Sequence, residues 1–578
     1  MRHSRCWILF IALFLAMVNT MAQKETLVYL ERCETLSFDE QLHPDAQLLK
    51  GNVCFRHEDA YMYCDSAYFY EKENSFDAFG HIRFVQGDTL SGYGDVLYYD
   101  GNTKIARLRR NVRLINRNTT LTTDSLNYDR VRDIAYYFSG GELQDSLNVL
   151  TSQWGQYTPY DKQAIFRNEV VLMHPKFVLT ADTLNYNTES HIADLQGPTR
   201  IDYGDETTIL STRGWYNTQT EKTLLMDRSK IIHKDGKTLT GDSLYYDKQV
   251  GYGRLYRQFE MADSVRKETL YGNYGEVYED GKHGYATDSA LFVDWSEEDW
   301  LYMHADTLFT EEVPYRLPVV MAFDSLRRDS IAMTPDTLWK DTSYQRVRAF
   351  YGVRVYRRDM QMVCDSLVYV SKDSVMTLCG GPICWSDENQ VSADSVFVYM
   401  RNGGVDYAHG IGNALAVKQE DVDKFDQMAG KEMYAYVRGG ELRQVDVNGN
   451  AETVFFPQED DGSFIGMNKT QSSYVKIYLE EKKIHHIVFT AATTGSLHPL
   501  DSIASGTDRL GGFFWADAVR PKYPGDVFMK TDRSAIEVVA PTEPAEEQKI
   551  PDKKDARSGK GNKRSGREAN TNKSTLKR

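Results

Sequence analysis

The segment LTTDSLNYD, residues 121–129, returns as LTADTLNYN at 179–187 and as LTGDSLYYD at 239–247. A nine-residue phrase rewritten with so few changes marks a repeated structural unit, and its parity says which kind. Side chains alternate between the two faces of a strand. Leu121 and Thr123 therefore share one face, whereas Asp124, Leu126 and Tyr128 share the other. Leu121, Leu126 and Tyr128 are all core residue types, so they reach one interior only if the strand bends or bulges near Asp124. A short acidic side chain that bonds to neighbouring backbone suits such a corner. The phrase is expected to turn the chain from one wall of a layered sheet to the next.

Other copies follow the same aspartate: Asp65, Asp95, Asp182, Asp242, Asp288, Asp306, Asp365 and Asp394. Asp95 to Asp124 is 29 residues, Asp124 to Asp182 is 58 and Asp182 to Asp242 is 60. Gln153, in LTSQWGQY, and the stretch LSTRGWYN (210–217) stand at the midpoints of the two long gaps as faded copies. A period near 29 is the mark of a repeat architecture in which each unit buries its apolar face on its neighbours. Short runs such as NVRLIN (111–116), EVVLMH (169–174) and HIADLQGP (191–198), bounded by turn residues, read as strands. No segment of the repeat keeps a 3.6-residue period, so the fold class is all-β.

The chain opens with MRHSRC, an apolar run WILFIALFLAMV and the small residues of Thr20-Met21-Ala22, the pattern of a secretory signal peptide over residues 1–22. Export is expected, with an oxidising compartment as the destination. Six cysteines follow (Cys33, Cys54, Cys64, Cys364, Cys379, Cys384), and Cys54 could face Cys64 across a hairpin, or both could be buried thiols. Of the 578 residues 37 are Tyr and only 15 Pro, which favours strands. The net charge is −15, yet residues 549–578 hold 11 Lys/Arg against 3 Asp/Glu, leaving an acidic body that speaks against nucleic acid as a partner. The tail from 541 lacks aromatics and is expected to be disordered.

Signals for chemistry are sparse. The sequence holds no G-x-S-x-G, H-E-x-x-H, phosphate-binding loop or C-x-x-C. The repeated aspartates lack the glycine-dense spacing of calcium repeats, and His485-His486 would point to opposite faces of one strand. No catalytic residue, metal ligand or cofactor is assigned.

The signal peptide, the period near 29 and the recurring D-S/T-L-x-Y phrase together resemble the OstA/LptA family of periplasmic lipopolysaccharide-transport proteins, in its long OstA-like form. The resemblance is clearest over residues 26–310 and resumes at 359–396. It implies an elongated twisted β-jellyroll whose interior shields the acyl chains of lipid A. It also implies end-to-end stacking by strand addition and a bridge between inner- and outer-membrane components, without catalysis. The inner-wall candidates for lipid are Leu121, Leu126, Tyr128, Leu179, Leu184, Tyr186, Leu239, Leu244 and Tyr246. The expected organisation is 1–22 signal peptide, 23–310 jellyroll repeats, 311–345 charged irregular insert, 346–400 further repeats, 401–540 a C-terminal β-rich region and 541–578 a basic tail. The same inner residues could instead fill a closed core, which would make the protein a β-repeat scaffold acting through its sheet edges. A carbohydrate-active or peptidase-like β enzyme, whose site the sequence hides, stands behind both readings.

Overall fold

The computed structural model describes residues 26–319 and 338–538, apart from 40, 42, 280, 281, 460, 482, 533 and 535. The segments expected to be a signal peptide (1–22) and a disordered basic tail (541–578) lie outside the described residues. Among the described residues there is no α-helix, and 36 strands join in one antiparallel sheet. Strand follows strand by hairpins, from Gln47–His57 with Ala60–Tyr70 to Met467–Glu480 with Lys483–Thr490.

Nearly every long strand is creased in the middle, and the crease gives the fold its two walls. Opposite Asp124 the register jumps: Arg109 pairs with Ser125 but Val112 pairs with Thr123, so Arg110 and Asn111 together face one residue. Both take left-handed backbone, φ 61° and 51°. The same two-against-one crease recurs at Gly80-His81 opposite Asp65, at Asn168-Glu169 opposite Asp182, at Asp227-Arg228 opposite Asp242 and at Gly412-Asn413 against Asp394. Inward positions switch parity there: Leu121 and Thr123 are buried, then Leu126 and Tyr128, with Asp124 exposed between them. The corner expected at the aspartate is present, but the left-handed residues that make it belong to the neighbouring strand. The aspartate spans the crease with its side chain. Asn111 Nδ2 donates to Asp95 Oδ2 at 2.7 Å, Asn413 Nδ2 to Asp394 at 3.2 Å, and His81 Nδ1 lies 2.7 Å from Asp65 Oδ2.

Gln153 and Thr212 occupy the same single-residue position, Gln153 between Asn168-Glu169 and the preceding unit, Thr212 opposite Asp227-Arg228. Asp288 does not. With Ser289 it forms a left-handed pair itself, φ 57° and 64°, and Asn273 stands in the aspartate's place.

Each strand thus contributes one half to each wall. The first wall ends in turns such as 58–59, 87–89 and 117–118, the second in turns such as 71–74, 101–104 and 130–133. The walls diverge from the creased edge, and the far edges form a seam. This is an elongated β-jellyroll. The part of the expected insert that is described is regular: Thr307–Val319 pairs with Leu338–Arg357 from Thr307–Phe350 to Val319–Leu338, so 311–319 and 338–345 belong to a long hairpin. Repetition of hydrogen bonding there does not require the repeat's residue pattern, which is why the sequence reads as irregular. Pairing also runs on through residue 400, since Ser395–Arg401 pairs with Gly404–Gln419. Cys54 pairs with Tyr63 and Cys64 with Val53, so these two cysteines do not face each other.

After Thr494–His498 the chain leaves the sheet and lies across the outside of the first wall. Two buried glutamines hold it by its backbone. Gln427 donates to the carbonyl of Asp508 (2.7 Å) and accepts from the N–H of Leu510 (2.8 Å). Gln390 does the same with Phe514 O (3.0 Å) and Ala516 N (2.8 Å). Gln361 accepts from Arg520, and Arg354 donates to Asp526 O and to Thr531. Under this strap Trp385, Val363, Val417 and Phe425 lose the water they would meet on a bare outer face.

Candidate functional site

The candidate site is the interior between the walls, and its character changes along the molecule. Over the first half it is closed. Leu121, Leu126, Tyr128, Leu179, Leu184, Tyr186 and Leu244 are at most 2% exposed, packed against partners such as Leu108, Phe166 and Leu195. Leu239 and Tyr246 are half-buried. The nine sequence candidates do line one continuous interior, but seven of them are already covered by protein.

What closes the seam is the tyrosine of the repeated phrase, four residues past the corner. Five of these phenols reach the opposite wall or its turns. Tyr99 Oη accepts from Arg130 (2.8 Å) and meets His57 Nδ1 (2.6 Å). Tyr128 donates to Asp133 (2.7 Å) and to Gln86 (3.2 Å). Tyr157 accepts from Asn116 (3.0 Å), Tyr186 donates to Asp145 and accepts from Asn148 (2.8 Å), and Tyr216 bonds Tyr203. The sixth, Tyr246, donates to Glu279 on its own wall, and its neighbour Lys248 reaches across to the ring of Tyr203 (3.6 Å). Ion pairs add to the latch, Arg130 to Asp59 at 2.7 Å and Lys176 to Glu221.

Burial sets the electrostatics of this seam. It pushes the Tyr99 phenol up to about 12 and the His57 imidazole below its ordinary value, with the Arg130 charge adding to the latter. Burial works to raise Asp145, but the hydrogen bonds from Tyr186, from the amides of Leu147 and Asn148 and from the Asn148 side chain outweigh it and hold the carboxyl low.

Past Tyr246 the latch position changes chemistry. The residues four beyond the later corners are Val277, Thr310, Val398, Ala435 and Ile477, with Tyr369 as the exception. The interior changes with them. Met261, Met400, Met428, Leu442, Ile487 and Phe489 point between the walls yet are only half-buried. Two polar bridges still cross, Gln345 to Glu268 (2.9 Å) and Arg357 to Gly403 O (3.3 Å). Methionine is concentrated here: Met303, Met362, Met376 and Met433 join the three half-buried ones, whereas among the described residues of the first half only Met62 lies in the core. Unbranched thioether side chains repack around ligands of varied shape. The sequence candidates missed this half because its copies of the phrase are degraded. The signal was present, as the loss of tyrosine four residues after each corner.

Among the described residues no group of three or more His, Cys, Asp or Glu is placed to hold a metal ion, and no helix is long and apolar enough to cross a membrane.

Residues 25–182 match the family model of OstA-like proteins. The matched stretch ends at the corner Asp182. Among solved structures the chain is similar to LptH of Pseudomonas aeruginosa, described as the LptA-homologous periplasmic component of the lipopolysaccharide transport device. The two share 12% identity over 24% of this chain and 95% of that one, with a TM-score of 0.20. No curated protein matches the chain.

Proposed function

We propose that this protein is a periplasmic carrier that shields the acyl chains of lipopolysaccharide between its walls and passes them from the inner toward the outer membrane, without catalysing a reaction. The observation that carries this reading is the half-buried, methionine-rich interior after residue 250. An acyl chain laid there would gain about 0.8 kcal/mol for each methylene it buries. The closed first half, which includes the stretch matching the OstA-like family model, would act as the rigid stem, and its N-terminal sheet edge at Tyr29–Arg32 and Thr35–Phe38, whose outer side pairs with no strand among the described residues, would serve for strand addition to a transport component or a second copy. The filled interior of residues 47–217 favours a second reading for that half alone, a β scaffold that holds no lipid.

Mass spectrometry of lipid extracted from gently purified protein tests both. The expected result is co-purifying lipid A that is lost in Met428→Asp/Ile487→Asp and retained in a first-half variant such as Leu184→Ala. A folded wild-type protein that carries no lipid would leave the scaffold reading for the whole chain.

A further inference from the structure

The outer face of the second wall carries a feature that neither packing inside the jellyroll nor strand pairing requires. Across the last six strands of that wall, cross-strand neighbours on the outside read Tyr399, Tyr407, Tyr436, Gln444, Tyr478 and His486. Adjacent rings lie flat together: Tyr399 on Tyr407 at 4.2 Å and 11°, Tyr478 on His486 at 4.4 Å and 20°. In the next row His409 stacks on Tyr434 at 4.0 Å and 12°. None of the rings is buried, and at the spacing of neighbouring strands the strip is about 24 Å long. Its charges are spent on one another: Arg401 pairs with Asp406 (2.9 Å), Arg443 with Glu441 (2.6 Å) and Lys476 with Asp446 (3.2 Å). Each tyrosine is within a few residues of the turn 402–403, the turn 439–440 or the end of the strand at Glu480, which form the lip of the half-open interior.

We infer that this strip binds the saccharide part of the cargo. A pyranose ring has an apolar C–H face and a polar rim. It stacks on a flat aromatic ring and takes hydrogen bonds from side chains at its edge, here the phenols, Gln444 and the paired charges. A self-neutralised strip complements an uncharged polyhydroxylated chain and offers little to an ionic one. Position agrees: a lipid with its acyl chains between the walls must bring its sugars out over this lip. The inference rests on the proposed function for its choice of saccharide, and it adds a second subsite on the opposite side of the same wall.

The test uses the full-length protein and two probes, the acyl-free oligosaccharide released from lipopolysaccharide by mild acid, and lipid A alone. Titration calorimetry of the wild type should detect the oligosaccharide. Tyr407→Ala/Tyr436→Ala should weaken it at least tenfold while lipid A binding stays unchanged, and the Phe pair should retain it. Gln444→Trp, which completes the row of rings, should tighten it, so the test survives misfolding of the alanine pair. Absence of oligosaccharide binding in the wild type, or equal binding in the alanine pair, would overturn the inference. Oligosaccharide binding with no lipid A binding would sink the groove and leave the strip.

Discussion

At the scale of the residue, the repeat is held by a division of labour between two strands. One strand supplies a pair in the left-handed region, which costs most residues on the order of 1 kcal/mol each; the other supplies a single residue that ties them down. Gly412 shows the constraint: at φ 76° a Cβ would come within 2.2 Å of Asp394 Oδ2. Gly412→Ala should therefore destabilise the protein by about 1–3 kcal/mol, read as a fall in the chemical-denaturation midpoint. Asp95→Ala removes only the exposed tie to Asn111 and should cost about 0.5–1.5 kcal/mol. If the two variants cost the same, the crease is not where the strain is held. The aspartate was legible in the sequence because it recurs in a fixed phrase. Its partners were not, because Arg110-Asn111, Asn168-Glu169 and Arg257-Gln258 share a backbone conformation and no side-chain signature.

At the scale of the element, seam and strap answer acid in opposite senses. His57 at the seam has its pKa held below 6.5, so the folded state resists its protonation and stability there is lost as pH falls through 6.5 toward the folded value. Asp145 is held below 3.8, so its contribution is present above 3.8 and is lost only in stronger acid. Near the strap, burial pushes Asp426 from 3.8 up to about 7, with Glu420 adding to the rise and the amide of Phe456 and Lys418 opposing it. The folded state therefore binds the extra proton, and stability at Asp426 falls as pH rises from about 4 to about 7. Hydrogen exchange at pH 5.5 should be faster than at pH 7.5 around 57–130, relative to intrinsic rates, and slower around 425–456. Asp426→Asn should abolish the second difference alone. Gln427→Ala strands the backbone of Asp508 and Leu510 and should cost about 1–3 kcal/mol, seen as trypsin cutting at Arg509 in otherwise folded protein. The strap had no legible pattern because it is held through its own backbone by distant glutamines, which no local period records.

At the scale of the whole molecule, one sheet does two jobs by changing one position per repeat. The all-β class, the period and the two-walled form were readable, because parity at the corner is a local property of nine residues. Where the interior opens was not read, although Tyr99, Tyr128, Tyr157, Tyr186 and Tyr216 give way to Val277, Val398, Ala435 and Ile477 in the same register. The sequence leaves these tyrosines as either groove lining or closed-core filling, since a ring four residues past a corner points inward in both cases. Only the partner at the tip of the ring tells a latch from a lining. That difference can be exchanged between the halves. Tyr186→Phe keeps the ring and deprives Asp145 and Asn148 of their shared partner, at a cost of about 1–3 kcal/mol, without making the first half bind lipid, because Leu184 and Leu195 still fill the space. Ala435→Tyr places a ring in the half-open interior beside Val445 and should lower the affinity for lipid A severalfold while leaving the denaturation midpoint nearly unchanged. Unchanged lipid binding in Ala435→Tyr, with the fold intact, would mean that the acyl chains lie elsewhere and that the open interior is not the groove.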